Sequence, residues 1–165
     1  IRQVATHAGF LPENPQDPEY PGMIEALREV AQDYASRGQY LLFETGQETP
    51  TALVRAIGDI GTGNLGVNLD PANLLMYGKA NPVDALDLLG PYVMDVHAKD
   101  GEYPTDGHSL GVEKALGEGR VNFPALVARL KAFGYDGALT IEREIHGDQQ
   151  IEDILRGKKI LESLL

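Results

Sequence analysis

Residues 92–100, YVMDVHAKD, carry a carboxylate, an imidazole and an ammonium group at alternate positions. Side chains alternate across a strand, so Asp95, His97 and Lys99 share one face while Met94, Val96 and Ala98 share the other. Three more strand-like runs each close on a carboxylate: LLFE at Glu44, GVNLD at Asp70 and ALTIE at Glu142. A strand-end carboxylate taken alone is more often a solvated loop residue, and a single histidine on a strand is more often a satisfied core residue. Together the four groups form an oxygen-and-nitrogen donor set suited to a hard-to-borderline divalent ion. The pattern predicts that Glu44, Asp70, His97 and Glu142 hold one such ion.

These residues need a scaffold that brings strand ends together. The chain opens with a short strand over residues 1–5, running into Thr6-His7-Ala8-Gly9-Phe10 and then a proline-rich loop. Ile24, Leu27, Ala31 and Tyr34 recur at three- and four-residue spacing, which predicts a helix of about four turns ended by Gly38. Strand 40–43 leads through Thr49-Pro50, an N-cap and first-turn pair, to a helix carrying Leu53, Ile57 and Ile60. Strand 65–69 is followed by a long loop through Pro71 and Asn73, then by a short helix opened by Asn81-Pro82. After the His97 strand comes a polar loop, DGEYPTDGHSLGVEKALGEGR, longer than a simple connection. Leu126, Leu130 and Phe133 stripe a further helix, residues 138–141 form the last strand, and Ile151, Ile154, Leu155 and Leu161 mark a terminal helix. Strands alternating with helices imply right-handed crossovers and a parallel sheet, hence an α/β fold of about five βα units. Parallel sheets keep their chemistry at the carboxyl ends of the strands, where Glu44, Asp70, His97 and Glu142 lie.

Bulk properties narrow the function. The 165 residues, 42% of them hydrophobic, predict one domain over 1–165 with a real core. The absence of cysteine rules out disulfides and thiolate ligands and fits a reducing compartment. A net charge of −11 argues against gripping a phosphate backbone, so nucleic acid is not expected as a partner. No stretch reaches the roughly 18 apolar residues of a membrane span, and the first residues lack the plan of a signal peptide. The expectation is a cytoplasmic protein with no membrane partner. Gly61-Thr62-Gly63 precedes a strand rather than opening a helix, which does not support a dinucleotide site.

The segments HAGFLPE, LLFETGQE, GVNLDPANL, VHAKDG and LGEG…GYDGALTIERE resemble the sugar phosphate isomerase/epimerase family, whose members have the xylose-isomerase-like (β/α)8 barrel. The resemblance covers nearly the whole chain but only strands four to eight of such a barrel, which implies a partial TIM barrel. It implies a divalent ion, manganese, magnesium, cobalt or zinc, bound by Glu44, Asp70, His97 and Glu142. It also implies that Glu44 and Glu142 flank a small sugar or cyclitol and exchange a proton on either side of a metal-bound enediolate. Moving a proton from carbon beside a carbonyl needs a base, an acid and a holder for the enolate charge, and this set supplies all three. His7 matches a position at the mouth of the active site. Many members have Asp-x-x-His where this chain has Asp70-Pro71-Ala72-Asn73, so Asn73 stands in a substrate-facing place without the imidazole. Lys99 is expected to meet a substrate oxygen or to pair with Asp95.

Other polar groups read more plainly. Asp106-Gly107-His108 suggests a second metal pair of the kind in endonuclease IV relatives, but Asn73 and the acidic charge make a solvated loop the preferred reading. Glu144 and His146 read as surface residues, and Arg143 as a salt-bridge partner directed away from the metal. An alternative to the enzyme is a catalytically incompetent half-barrel that folds, oligomerises and at most binds metal. Five units of a barrel leave two strand edges and an inward face, with Leu42 and Val93 on it, open to water. That predicts a homodimer.

Overall fold

The computed structural model describes residues 1–165. Strand β1 (Gln3–His7) leads to helix α1 (Tyr20–Ser36), β2 (Tyr40–Glu44) to α2 (Pro50–Ile60), and β3 (Leu65–Leu69) to α3 (Pro71–Met76) and α4 (Pro82–Leu89). Strand β4 (Val93–Ala98) is followed by a short antiparallel pair, β5 (Asp100–Gly101) with β6 (Glu113–Lys114), and by α5 (Phe123–Ala132). Strand β7 (Leu139–Ile141) precedes α6 (Asp148–Glu162). The five long strands are all parallel, in the order β1-β2-β3-β4-β7. They curl into a half-barrel alternating with helices, the α/β TIM-barrel-like fold that the strand–helix pattern implies.

Local sequence explains the breaks. Thr49 accepts a hydrogen bond from Ala52 N, Asn81 from Val83 N and Asp84 N, and Asn122 from Ala125 N, each with proline in the first turn that follows. These caps satisfy amides that a helix start leaves without partners. The outward side chains of the sheet, Leu41, Phe43, Val67, Leu69, Val96 and Ala98, are buried against Leu53, Ile57, Leu86, Leu89, Leu126 and Leu130 of the helices. Each large apolar side chain fully buried there contributes about 1.5–3 kcal/mol relative to exposure.

Three expectations need correction. Residues 71–76 are a helix, not a loop: Asp70 is its N-cap, accepting from Asn73 N, and Pro71 is its first residue. Reading Asp70 as a ligand hid that it carries the same cap signature as Thr49-Pro50 and Asn81-Pro82. Second, Met94 does not share a face with Val96 and Ala98. The register passes from Val67↔Val93 directly to Asn68↔Asp95, so Met94 is an extra residue in a bulge. Its sulfur turns to the concave face, where a Cβ on Gly66 would lie 2.6 Å from it. Third, Leu42, expected to be open to water, is 1% exposed because Met94 closes with it over Gly66, and Val93 packs against the outer core.

Candidate active site

The ladder register brings the chemistry together. Glu44 ends β2 opposite His7 of β1 and Asn68 of β3, and Asn68 stands opposite Asp95 two residues before His97. Glu142 follows β7, its amide donating to Ala98 O at 3.3 Å. Thr45 fixes the end of β3: its hydroxyl donates to Asp70 O at 2.8 Å and accepts from Asp70 N at 2.9 Å, wholly buried. As a result one donor atom each from Glu44, Asp70, His97 and Glu142 lie within 4.8 Å of one another.

His97 Nδ1 is 2.8 Å from Glu142 Oε2 and 3.4 Å from Glu44 Oε1. Nδ1 and Oε2 form an ion pair when His97 is protonated; both, with Asp70 Oδ2, are buried and form no hydrogen bond. Such atoms are costly unless something else satisfies them. These three residues and Glu44, each with a donor atom within 4.8 Å of the others, fit a divalent cation of the oxygen-and-nitrogen class. Asn68 lies 3.1 Å from His97 Nε2, and its Oδ1 has no other partner. With the carboxamide turned so that Oδ1 accepts from Nε2–H, Nδ1 keeps its lone pair for a metal when it is deprotonated.

Without an ion the charges lean on one another. Contacts with Glu142 and then Glu44 push the His97 imidazole up to about 10, and the same His97 contact holds Glu142 low. Burial drives Asp70 up to about 7, against the pull of Lys99. The Lys99 side chain is 2% exposed. Burial lowers its affinity for a proton, but Asp70, Glu144 and Glu142 outweigh that and leave it raised. Its Nζ is 3.0 Å from Glu144, 3.7 Å from Glu142 and 3.8 Å from Asp70. Lys99 therefore pairs with these three carboxylates and not with Asp95, whose carboxylate accepts from Val96 N.

A cavity of about 290 Å³ opens beside the cluster, lined by His7, Glu44, Asn73, Lys99, Glu142 and Glu144, with an apolar wall of Met76, Tyr77 and Leu110. His7 Nε2 is 3.9 Å from Glu44 Oε1, and Asn73 Nδ2 donates to the same oxygen at 3.3 Å. A larger hollow of about 480 Å³ lies at the other end of β4 and β7 and contains none of the four clustered residues. Asp106 and His108 are exposed, Asp106 accepting from the amides of His108 and Ser109, as a solvated loop requires. Glu144 is a surface residue, its side chain 61% exposed, and it also lines the cavity and pairs with Lys99. Asn68 and Thr45 were not singled out from sequence. Asn68 had a signal, a polar residue inside an apolar strand two positions before Asp70 and so on its face. Thr45 had none.

The fold that carries these residues belongs with a known family. Residues 1–164 match the xylose isomerase-like TIM barrel family, and the chain belongs to it. A xylose isomerase domain protein from Planctomyces limnophilus is 36% identical and superposes with a TM-score of 0.89, over 98% of this chain and 57% of that one. An uncharacterized protein of Methanocaldococcus jannaschii is 29% identical over 98% of this chain and 56% of its own length. A D-psicose 3-epimerase, solved in the presence of D-fructose, shares the fold at 19% identity and a TM-score of 0.65, over 94% of this chain and 55% of that one. The chain thus spans a little over half the length of the relatives it matches. No helix is long and apolar enough to cross a membrane.

Proposed function

We propose that this chain carries the metal-binding and proton-transferring part of a sugar or cyclitol isomerase or epimerase. The observation that carries the reading is the convergence of Glu44, Asp70, His97 and Glu142 within 4.8 Å, with three of their buried atoms lacking hydrogen-bond partners. A divalent ion held by these four, manganese, magnesium, cobalt or zinc, would supply a Lewis acid for the negative charge that builds on a substrate oxygen.

The chain's own residues would do the rest. Glu44 and Glu142 stand at the cavity on opposite sides of His97, one placed to take a proton from the carbon beside the carbonyl and the other to return one. Lys99 holds Glu142 and Glu144 in place from below, and His7 and Asn73 offer polar contacts to the substrate hydroxyls. The apolar wall of Met76, Tyr77 and Leu110 keeps water from the carbon that loses its proton.

The site reaches both edges of the sheet, His7 on β1 and Glu142 beyond β7, with side chains 43% and 29% exposed. That openness favours a second reading, in which the 165 residues bind metal but turn substrate over slowly or not at all. It also supports pairing with a second copy, since β1 and β7 are edge strands with unpaired ladders. A specific homodimer should bury at least about 1,000 Å². The first test is incubation with neutral and phosphorylated ketoses plus manganese in deuterated water, following loss of the carbon-bound hydrogen by NMR. Exchange that disappears in Glu142→Gln supports the enzyme. Tight manganese binding with no exchange leaves the second reading, and exchange persisting in Glu142→Gln refutes the assigned role. Light scattering at micromolar concentration tests the dimer, which a single species of monomer mass would overturn.

A further inference from the structure

Beyond β7 the backbone leaves the sheet. Glu142 N is the last group bonded to β4, yet Glu142 and Glu144 must both be aimed at the site. The peptide between Arg143 and Glu144 is held instead by side chains from two other elements. Its carbonyl, Arg143 O, accepts from Gln150 Nε2 of α6 at 2.7 Å. Its amide, Glu144 N, donates to both carboxylate oxygens of Glu113 on β6, at 3.0 and 3.1 Å. The Arg143 side chain closes the arrangement. Its guanidinium meets Glu113 Oε1 at 3.1 Å and donates from Nε to Asp153 Oδ2 on α6 at 2.8 Å, with the three side chains 14%, 12% and 4% exposed.

We propose that Glu113, Arg143 and Gln150 form a clamp on the 143–144 peptide, and that these three are positioning residues for Glu142 and Glu144. A peptide plane fixed on both sides can tilt little, so the carboxylate before it and the one after it keep their directions toward the His97 cluster and Lys99. The clamp also ties the long loop to the site. Asp100 of β5 accepts from the amides of Gly101, Gly117, Gly119 and Val121, which fixes the loop at its base, and at Gly119 a Cβ would lie 2.2 Å from Asp100 Oδ1. Through Glu113 that loop reaches the metal-facing strand end, while its Leu110 and Gly111 line the cavity. The loop thereby sets the geometry of the metal cluster as well as covering the cavity. Its part in metal binding rests on the proposed function; the clamp itself does not.

The test compares Glu113→Ala, Glu113→Gln and Arg143→Met with Arg156→Met. Arg156 bonds Asp153 Oδ1 and Glu118 but not the clamped peptide, so its loss is the control. Two readouts are taken: manganese affinity by calorimetry, and hydrogen exchange of the Glu144 amide by NMR without metal. Glu113→Ala and Arg143→Met should weaken manganese binding about tenfold, the usual effect of losing a group that orients a ligand. They should also speed exchange at Glu144 without changing the exchange of β3. Glu113→Gln keeps an acceptor for the amide and should recover part of both. Exchange at Glu144 unchanged in Glu113→Ala, or an equal effect from Arg156→Met, overturns the clamp. If the parent binds no manganese the proposed function fails, and the exchange data alone decide the clamp.

Discussion

Glu48 gives the sharpest test of the physics, because its carboxylate is buried with no other residue bonded to either oxygen. The residue is 2% exposed and precedes the cap Thr49. Burial raises its carboxyl from 4.5 to about 7, only partly opposed by its own backbone amide and by Lys79, which is shared with Glu13. The folded state therefore binds a proton more tightly than the unfolded chain. Stability from this group is fully present below about pH 4.5 and is lost as pH rises through about 7. At 1.36 kcal/mol per unit, the shift amounts to about 3 kcal/mol of destabilisation at high pH. Between pH 5 and pH 8 the change is about 2.5 kcal/mol. Glu48→Gln cannot ionise, so relative to the parent it should gain about that much between the two pH values. For a chain of this size that is about 7 °C in Tm. Urea unfolding of both proteins at pH 5 and pH 8 measures it, and all other titrations cancel in the difference. A Glu48→Gln effect that is the same at both pH values would show that the carboxylate is solvated and the argument wrong.

Other predictions concern the site. With its imidazole pushed up to about 10, His97 carries a proton at pH 7, and a metal ion must displace it. Manganese binding should release about one proton or more and tighten as pH rises from 6 to 9, by up to about tenfold per unit; calorimetry in buffers of different ionisation enthalpy measures both, and a pH-independent affinity refutes it. His97→Ala should abolish measurable binding in the same titration. Lys99→Met removes the ammonium that pairs with buried Asp70, so it should destabilise the metal-free protein by about 3–5 kcal/mol in urea. Gly66→Ala places a Cβ 2.6 Å from Met94 Sδ and 2.8 Å from Leu42 Cδ2. It should cost about 1–3 kcal/mol, with partial recovery when Met94→Ala is added.

The elements legible in the sequence were those whose signals are local. Thr49-Pro50 and Asn81-Pro82 start helices by satisfying their own amides, and the spacing of Ile24, Leu27 and Ala31 needs only helical periodicity. The carboxylates after three strands could be read as converging because a parallel sheet aligns its strand ends. What was not legible depends on contacts between strands. The bulge at Met94 is a property of the β3–β4 register, and no feature of residues 92–100 alone reveals that the alternation slips there. The pairing of exposed Glu144 with Lys99 was not legible for a similar reason: beyond β7 the 143–144 peptide is bonded by Glu113 and Gln150, 31 and 6 positions from Glu144 in the chain. Asp70 was read for one task where the fold gives it two, with Oδ1 capping α3 and Oδ2 left facing the cluster.

The order of the five strands in space is their order in the chain. Each strand is laid beside the one before it, with an intervening helix packed locally, so no pairing waits for a distant segment to return. Each pairing spans a single strand–helix unit, so assembly can propagate from any completed unit in either direction. The same layout makes growth simple. A further βα unit can join at β1 or at β7 without rethreading any existing connection, so the sheet is extensible at both ends by the rule that built it.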